Sequence, residues 1–136
     1  MLRKLLAVAV VLACVAAATA LAVSRMGPTV AVSENDVPKF KMKAPKSAKA
    51  GKITFVVHNK GKLSHEFIVV KTNRPAGKLP LKGAVAKLTG VKGKIKPFKP
   101  GQTRKLALTL KAGKYVLLCN LPGHYKAGQY AAFTVR

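Results

Sequence analysis

The feature that most constrains the fold of this chain is a series of short segments in which apolar and polar residues alternate. The clearest is Gln102–Lys111, where Leu106, Leu108 and Leu110 occupy one face and lysine, threonine and alanine the other. Successive side chains of a β-strand point to opposite faces of a sheet, so a period of two predicts a strand with one buried face. A chain made of such strands must cover the buried face of one sheet with a second layer.

Further segments of this kind are separated by glycine, proline and polar residues, which are typical of turns. The other strand candidates are Thr29–Ser33, Lys39–Lys43, Lys52–His58, Glu66–Lys71, Lys114–Cys119 and Tyr130–Val135. With 136 residues, the chain is long enough for one packed core. About seven short strands in one domain predict an all-β fold in which two antiparallel sheets form a sandwich.

The alternation fades between Arg74 and Gly101, a stretch rich in lysine, glycine and proline. This stretch is long for a simple connection between strands. We therefore predict an excursion from the sandwich that contains one short helix around Leu81–Leu88.

The first residues of the chain differ in character from the rest. Arg3 and Lys4 precede an apolar run from Leu5 to Val23, and Ala18-Thr19-Ala20 has the small-x-small form of a cleavage site. A secretory signal peptide has this organisation, and the run is also long enough to span a bilayer as a helix. We predict a signal peptide or a retained membrane anchor over residues 1–24. Residues 25–136 are then one exported domain, in the periplasm or on the outer face of the cytoplasmic membrane.

The charge of the chain is strongly positive, with 26 lysine and arginine residues against three acidic ones and a net charge of +23. Such a charge favours partner proteins with acidic docking surfaces or an anionic membrane surface. Nucleic acid is a poor candidate, since aromatic residues are few, no recognition motif is present and the N-terminus predicts export. High net charge also opposes self-association, so we expect a monomer.

The two cysteines of the chain are Cys14 and Cys119. Cys14 lies in the N-terminal apolar run, after residues that weakly resemble a lipoprotein box, although the residues that follow stay apolar. Cys119 therefore has no partner for a disulfide in its own domain. A lone cysteine in an exported domain is either a buried free thiol or a metal ligand.

The segment 119–129 concentrates residues that bind metals. It reads Cys-Asn-Leu-Pro-Gly-His-Tyr-Lys-Ala-Gly-Gln and presents Cys119, His124 and Gln129 on one loop between two strands. A second imidazole, His65, begins an earlier strand, which a sandwich can bring alongside Cys119. Two histidines and one thiolate bind copper in both of its common oxidation states, and a weak axial group such as methionine or glutamine completes such a site.

This loop resembles the ligand loop of the cupredoxins, the family of plastocyanin, azurin, auracyanin and stellacyanin, and Ser64–Val70 resembles their first-ligand strand. The resemblance runs from about Thr29 to the C-terminus. It implies a Greek-key β-sandwich that holds one mononuclear type 1 copper ion, with His65, Cys119 and His124 as equatorial ligands.

Two departures from the family pattern concern the surroundings of the copper. Gln129 stands where most members have an axial methionine, and stellacyanin-like members use glutamine there, so we predict Gln129 as the axial ligand with a lower reduction potential than a methionine site. Glu66 stands where plastocyanin-like proteins often carry an asparagine that pins the cysteine loop. The groups that orient the ligands are therefore not predicted by the resemblance.

By this resemblance the protein carries single electrons between redox partners by Cu(I)/Cu(II) cycling, and we predict no catalytic residues. The alternative is a copper delivery or storage protein that hands copper to a cuproenzyme, although clustered exposed methionine, histidine or cysteine residues are absent from the sequence. An enzyme with a Cys/His nucleophile pair is disfavoured, because Glu34, Asp36 and Glu66 are the only acids that could orient it.

Several residues near these motifs have simpler interpretations. We expect His58 to be an ordinary surface histidine, Met42 to lie in the core or at an edge, and Glu66 to be solvated or paired with a lysine. The apolar residues that flank His124 predict a small surface patch through which an electron could leave to a docked partner. They are Leu121, Pro122 and Tyr125.

Overall fold

The computed structural model describes residues 26–136, which are almost entirely strands and turns. The strands are β1 (Thr29–Asn35), β2 (Lys41–Lys43), β3 (Ser47–Ala48), β4 (Gly51–Asn59), β5 (His65–Lys71), β6 (Leu81–Lys82), β7 (Val85–Ala86), β8 (Val91–Phe98), β9 (Thr103–Leu110), β10 (Gly113–Leu118) and β11 (Tyr130–Val135). The predicted signal peptide or anchor, and Cys14 with it, lies outside the described residues. Over residues 26–136, no helix is long and apolar enough to cross a membrane.

The strands form two packed sheets and a small hairpin. The first sheet has the order β2-β1-β4-β9, the second has the order β3-β11-β10-β5-β8, and β6 pairs with β7. The predicted all-β sandwich is therefore confirmed. Its sheets are mixed and not purely antiparallel as predicted, because β1 runs parallel to β4 and β3 runs parallel to β11.

The inner faces of the two sheets form the main core. Along β4 every second residue is buried, as the alternation of its sequence predicts. Phe55 of β4 packs against Phe67 of β5 and Phe133 of β11, with ring centroids 5.4 and 5.6 Å apart. Met42 of β2 is also buried in this core, which confirms the predicted core role.

A second, smaller cluster lies on the outer face of the second sheet. The excursion between β5 and β8 contributes Leu79 and Ala86, and these pack over Ile68, Val70 and Leu118. Strand β5 is consequently buried on both faces over His65–Val70. This double cover explains why residues 67–70 are a continuous apolar run, and it places His65 at the start of a strand that is packed on both faces.

The predicted helix around Leu81–Leu88 is wrong, because this segment is the β6–β7 hairpin. Gly83 has φ of +61° in the turn, a conformation that glycine adopts without strain. The sequence analysis also missed β8, in which lysines alternate with small or apolar residues and Pro97 is included. Strand β8 is the edge of its sheet, where exposed lysines and a proline are tolerated and discourage further pairing.

Candidate metal centre

Three strand ends of the second sheet deliver the candidate ligands to one end of the sandwich. His65 is the first residue of β5, Cys119 follows the last residue of β10, and Gln129 precedes the first residue of β11. Strand β10 lies between β5 and β11, with Leu118 opposite Ile68 on one side and Tyr130 on the other. The register of the sheet therefore brings the predicted ligand positions together.

The side chains of His65, Cys119 and His124 form a compact group, as the sequence predicted. Their candidate donor atoms all lie within 4.8 Å of one another. The Nδ1 atoms of His65 and His124 are 3.2 Å apart, and Sγ of Cys119 is 3.4 Å from Nδ1 of His124. His65 and Cys119 are fully buried, whereas His124 is partly exposed. One thiolate and two imidazole nitrogens converging in this way can hold a soft or borderline metal ion.

The loop that carries Cys119, His124 and Gln129 is closed by its own backbone. The N–H of Gln129 donates to the carbonyl of His124 at 3.1 Å, and the N–H of Cys119 donates to the carbonyl of Gln129 at 3.1 Å. Gly123 has φ of +82°, which allows the tight turn before His124. The N–H of Gly123 also donates to Ala84 in the β6–β7 hairpin, at 2.8 Å. The loop is therefore held by hydrogen bonds within its own backbone and by one to the β6–β7 hairpin.

The thiol of Cys119 is buried and accepts a hydrogen bond from the backbone N–H of Glu66 at 3.4 Å. Burial raises the pKa of the Cys119 thiol to about 12. Hydrogen bonds from the backbone of Glu66 and Leu121 oppose this rise, and the nearby carboxyl groups of Glu34 and Glu66 add to it. The thiol is therefore protonated in the metal-free protein at neutral pH. A metal that binds Sγ must displace this proton.

Asp36 contacts the first histidine, and the sequence analysis had considered it only as one of three acids. Its Oδ2 lies 2.8 Å from Nε2 of His65. Burial lowers the pKa of His65, although the hydrogen bond and the charge of Asp36 oppose this, so the imidazole is neutral at neutral pH. A neutral ring that donates Nε2–H to Asp36 leaves the lone pair of Nδ1 directed at His124 and Cys119.

Gln129 is fully buried at the end of the loop that carries Cys119 and His124, and its amide oxygen and nitrogen have different surroundings. Nε2 donates to the carbonyl of Lys41 at 3.3 Å, whereas Oε1 has no hydrogen-bond partner among the described residues. A buried carbonyl oxygen without a partner is costly, and a metal ion is one group that could satisfy it. Gln129 therefore adds a buried oxygen without a hydrogen-bond partner to the loop that carries Cys119 and His124.

Glu34 is a second unusual group beside Gln129. It is fully buried, and neither carboxyl oxygen meets a partner with hydrogen-bond geometry in the described part of the chain. Burial raises its pKa to about 8; the proximity of Gln129 opposes the rise and the charge of Glu66 adds to it. Glu34 is thus protonated and neutral at neutral pH. No sequence pattern distinguished it, because its burial depends on the packing of β1 in the sandwich.

Two asparagines that the sequence analysis did not identify hold the segments around the site. Asn59 is fully buried; its Nδ2 donates to the carbonyls of Leu63 and Phe98, and its Oδ1 accepts from Gly61. Asn120 makes two hydrogen bonds with the backbone of Ala86, at 2.8 and 3.0 Å. The position directly after a ligand cysteine was the only sequence signal for Asn120. Asn59 had none.

Glu66 does not take part in the metal group. Its side chain is buried and pairs with Lys94, with Oε2 and Nζ 2.8 Å apart. The prediction of a lysine partner is confirmed, and the alternative of a solvated carboxylate is wrong. The backbone N–H of Glu66, which donates to Cys119, and the side chain of Asn120 provide the contacts that pin the cysteine loop.

Of the three apolar residues predicted to form a surface patch beside His124, Leu121 is partly exposed and Pro122 is exposed, but Tyr125 is not at the surface. Tyr125 is buried: its hydroxyl donates to the carbonyl of Ala76 at 2.6 Å and accepts from the N–H of Leu79 at 2.9 Å. Phe40 packs its ring against that of His124, with centroids 4.8 Å apart. We call the exposed or partly exposed apolar residues of the segments that carry or contact the metal group and Asp36 the apolar rim. They are Val37, Phe40, Leu63, Leu121 and Pro122, and Val37 and Leu63 are about half exposed.

His58 lies outside the metal group, as predicted. It is partly exposed on β4, and its Nδ1 lies 2.7 Å from the hydroxyl of Thr103 on the neighbouring strand β9. The two other histidines of the chain, His65 and His124, are the ones that belong to the metal group.

No family model and no curated protein sequence matches the chain. The fold is shared with solved structures. Rusticyanin from Thiobacillus ferrooxidans gives a TM-score of 0.59 at 18% identity, over 81% of this chain and 79% of rusticyanin. Auracyanin from the photosynthetic bacterium Roseiflexus castenholzii gives a TM-score of 0.58 at 23% identity, over 81% of this chain and 96% of auracyanin. A methionine-to-glutamine variant of rusticyanin gives a TM-score of 0.62 at 19% identity, over 81% of this chain and 79% of the variant. These neighbours are cupredoxins, so the predicted cupredoxin-like fold is confirmed for the described residues.

Proposed function

We propose that this protein is a mononuclear blue copper protein that carries single electrons outside the cytoplasm. The observation that carries the proposal is the convergence of one buried thiol and two imidazoles, His65, Cys119 and His124, within 4.8 Å. The fold supports it, because rusticyanin, which shares it, is described as a copper protein. Copper bound by such a set supplies a reversible one-electron couple.

The chain contributes a site whose parts are held by the fold. His65 and Cys119 are placed by neighbouring strands, and His124 by a loop closed with backbone hydrogen bonds. The unpartnered oxygen of Gln129 supports an axial role for this residue. Donors held in one arrangement limit the rearrangement that accompanies electron transfer, which is the requirement for an electron carrier.

His124 is the part of the site closest to solvent, and we propose the apolar rim around it as the docking surface for redox partners. Phe40 packs on the His124 ring, so an electron leaving through this imidazole passes into apolar contacts. Exposed lysines lie in the same segments and favour acidic partner surfaces. They are Lys39, Lys60, Lys62 and Lys126.

The proposal is tested by adding Cu(II) to the purified full chain and recording visible absorption and electron paramagnetic resonance spectra. We expect an intense band near ~600 nm and a narrow copper hyperfine splitting, both lost in Cys119→Ser. His58→Ala is a matched control, because His58 is outside the metal group, and it should keep both signals. Colourless protein, or ordinary Cu(II) signals that persist in Cys119→Ser, would contradict an electron-carrier role.

A further inference from the structure

Among the described residues, Asp36 is the only acid whose side chain lies within hydrogen-bond distance of a candidate histidine ligand. It follows β1, and its Oδ2 lies 2.8 Å from Nε2 of His65. The side chains of Asp36 and His65 are 3% and 0% exposed, so water does not compete strongly for this contact. The chain has only three acidic residues and a net charge of +23, and one of these three carboxylates contacts Nε2 of the first candidate histidine ligand.

The carboxylate is itself fixed by backbone donors. The N–H of Lys62 donates to both oxygens at 3.0 Å, and the N–H of Leu63 donates to Oδ2 at 3.0 Å. In these contacts and in the one with Nε2 of His65, both oxygens of Asp36 act as acceptors, and the carboxylate is the form that accepts at every one of them. Asp36 is therefore an ionised acceptor with little freedom to move.

Gly61 shows that the turn before β5 is shaped around this pair. A Cβ atom at position 61 would overlap the carboxylate of Asp36 and would lie 2.9 Å from Nε2 of His65. The side chain of Asn59 accepts from the N–H of Gly61 and donates to Leu63, which keeps the turn in place. The close approach of the turn to the Asp36–His65 pair thus requires a glycine.

We infer that Asp36 is a positioning residue for the metal site and sets the balance between the two oxidation states of bound copper. By accepting Nε2–H, it selects the tautomer of His65 that presents the Nδ1 lone pair and fixes the orientation of the ring. A carboxylate on the far nitrogen also makes the imidazole a stronger donor. Its negative charge stabilises Cu(II) more than Cu(I). Asp36 therefore lowers the reduction potential.

This inference rests on the proposed copper function, but its first consequence can be checked without copper. In the metal-free wild-type protein, nitrogen-15 NMR should show His65 protonated on Nε2 and not on Nδ1. A ring protonated on Nδ1 would overturn the inference whether or not the protein binds copper. Conversely, the expected tautomer in a protein that never forms a blue site would count against the proposed function and not against the Asp36 contact.

The second test compares Asp36→Asn with Glu66→Gln in the copper-loaded full chain. Both variants remove one buried negative charge near the site, but the Glu66 side chain pairs with Lys94 and touches no ligand. We expect Asp36→Asn to weaken Cu(II) binding about 10- to 100-fold. Cu(I) binding should weaken less, so the reduction potential should rise by about 59 mV for each tenfold change in the ratio of the two affinities.

Glu66→Gln should change the ratio of Cu(II) to Cu(I) affinity less than Asp36→Asn does. Equal effects of the two variants would show that Asp36 acts only through overall charge, and an unchanged ratio in Asp36→Asn would show that it only supports the turn. Both results overturn the inference. If Asp36→Asn does not fold, the tautomer measurement on the wild type decides.

Discussion

The backbone N–H of Cys119 donates to the carbonyl of Gln129 at 3.1 Å, so the first and last residues of the candidate ligand loop are joined directly. This bond continues the pairing of β10 with β11 by one step beyond Leu118 and Tyr130. It fixes the backbone of Gln129 beside the candidate ligand Cys119, while the buried Oε1 of the Gln129 side chain lacks a hydrogen-bond partner among residues 26–136. The sheet itself therefore places the backbone of Gln129, the proposed axial ligand, beside Cys119.

Replacing Gln129 with methionine should raise the reduction potential of the copper-loaded protein. An amide oxygen is a harder donor than a thioether and favours Cu(II) over Cu(I). Protein-film voltammetry of wild type and Gln129→Met measures the change. A potential that is unchanged or lower in the variant would contradict the axial assignment, provided that its blue absorption band shows the three other ligands in place.

Glu34 should make the metal-free protein less stable as the pH rises. In the unfolded chain its carboxyl ionises near its ordinary value of 4.5, whereas the folded protein keeps the proton until about pH 8. The folded state therefore binds more protons in this interval, and the free energy of unfolding falls with increasing pH. One pKa unit corresponds to about 1.4 kcal/mol, so the total effect is a few kcal/mol.

Urea unfolding of wild type and Glu34→Gln at about pH 5 and about pH 8 isolates this contribution from the other titrating groups. We expect the stability of Glu34→Gln relative to wild type to increase with pH over this interval. Glu66→Gln, which leaves Glu34 in place, should not reproduce the change. A constant difference between Glu34→Gln and wild type would show that Glu34 is ionised in the folded protein.

Asn120→Ala should destabilise the protein by about 1–3 kcal/mol, because two hydrogen bonds to the backbone of Ala86 are lost at a partly buried position. The loop that carries His124 should also become less rigid. Chemical denaturation of the metal-free protein measures the stability, and backbone amide exchange of Gly123 measures the loosening. Asn73→Ala changes an exposed asparagine and serves as the control, with an expected effect within about 0.5 kcal/mol.

Tyr125→Phe should cost about 1–3 kcal/mol in the free energy of unfolding. The change leaves the carbonyl of Ala76 and the N–H of Leu79 without the hydroxyl that now bonds both. Tyr130→Phe removes a hydroxyl that makes no hydrogen bond among the described residues, so it is the matched control. Equal losses in the two variants would show that the Tyr125 hydroxyl does not anchor the excursion over the second sheet.

The sequence predicted those parts of the fold that depend on local pattern. The alternation in β4 and β9 located these strands, because one face of each is buried and the other is solvated. It failed for β8, whose exposed lysines and Pro97 reflect its place at the edge of a sheet. The hairpin at Gly83 was wrongly predicted as a helix, because each of its two strands has only two residues and therefore shows no alternation of apolar and polar positions.

The candidate ligands could also be identified from the sequence alone, because one loop carries Cys119, His124 and Gln129 at a spacing specific enough to recognise. The tertiary structure decided which groups surround them. Asp36 lies 29 positions before His65 in the chain, and Glu34 and Asn59 are buried only because β1 and β4 pack in one sheet near the site. Contacts between such distant residues depend on how the two sheets stack, and no local pattern in the sequence records that arrangement.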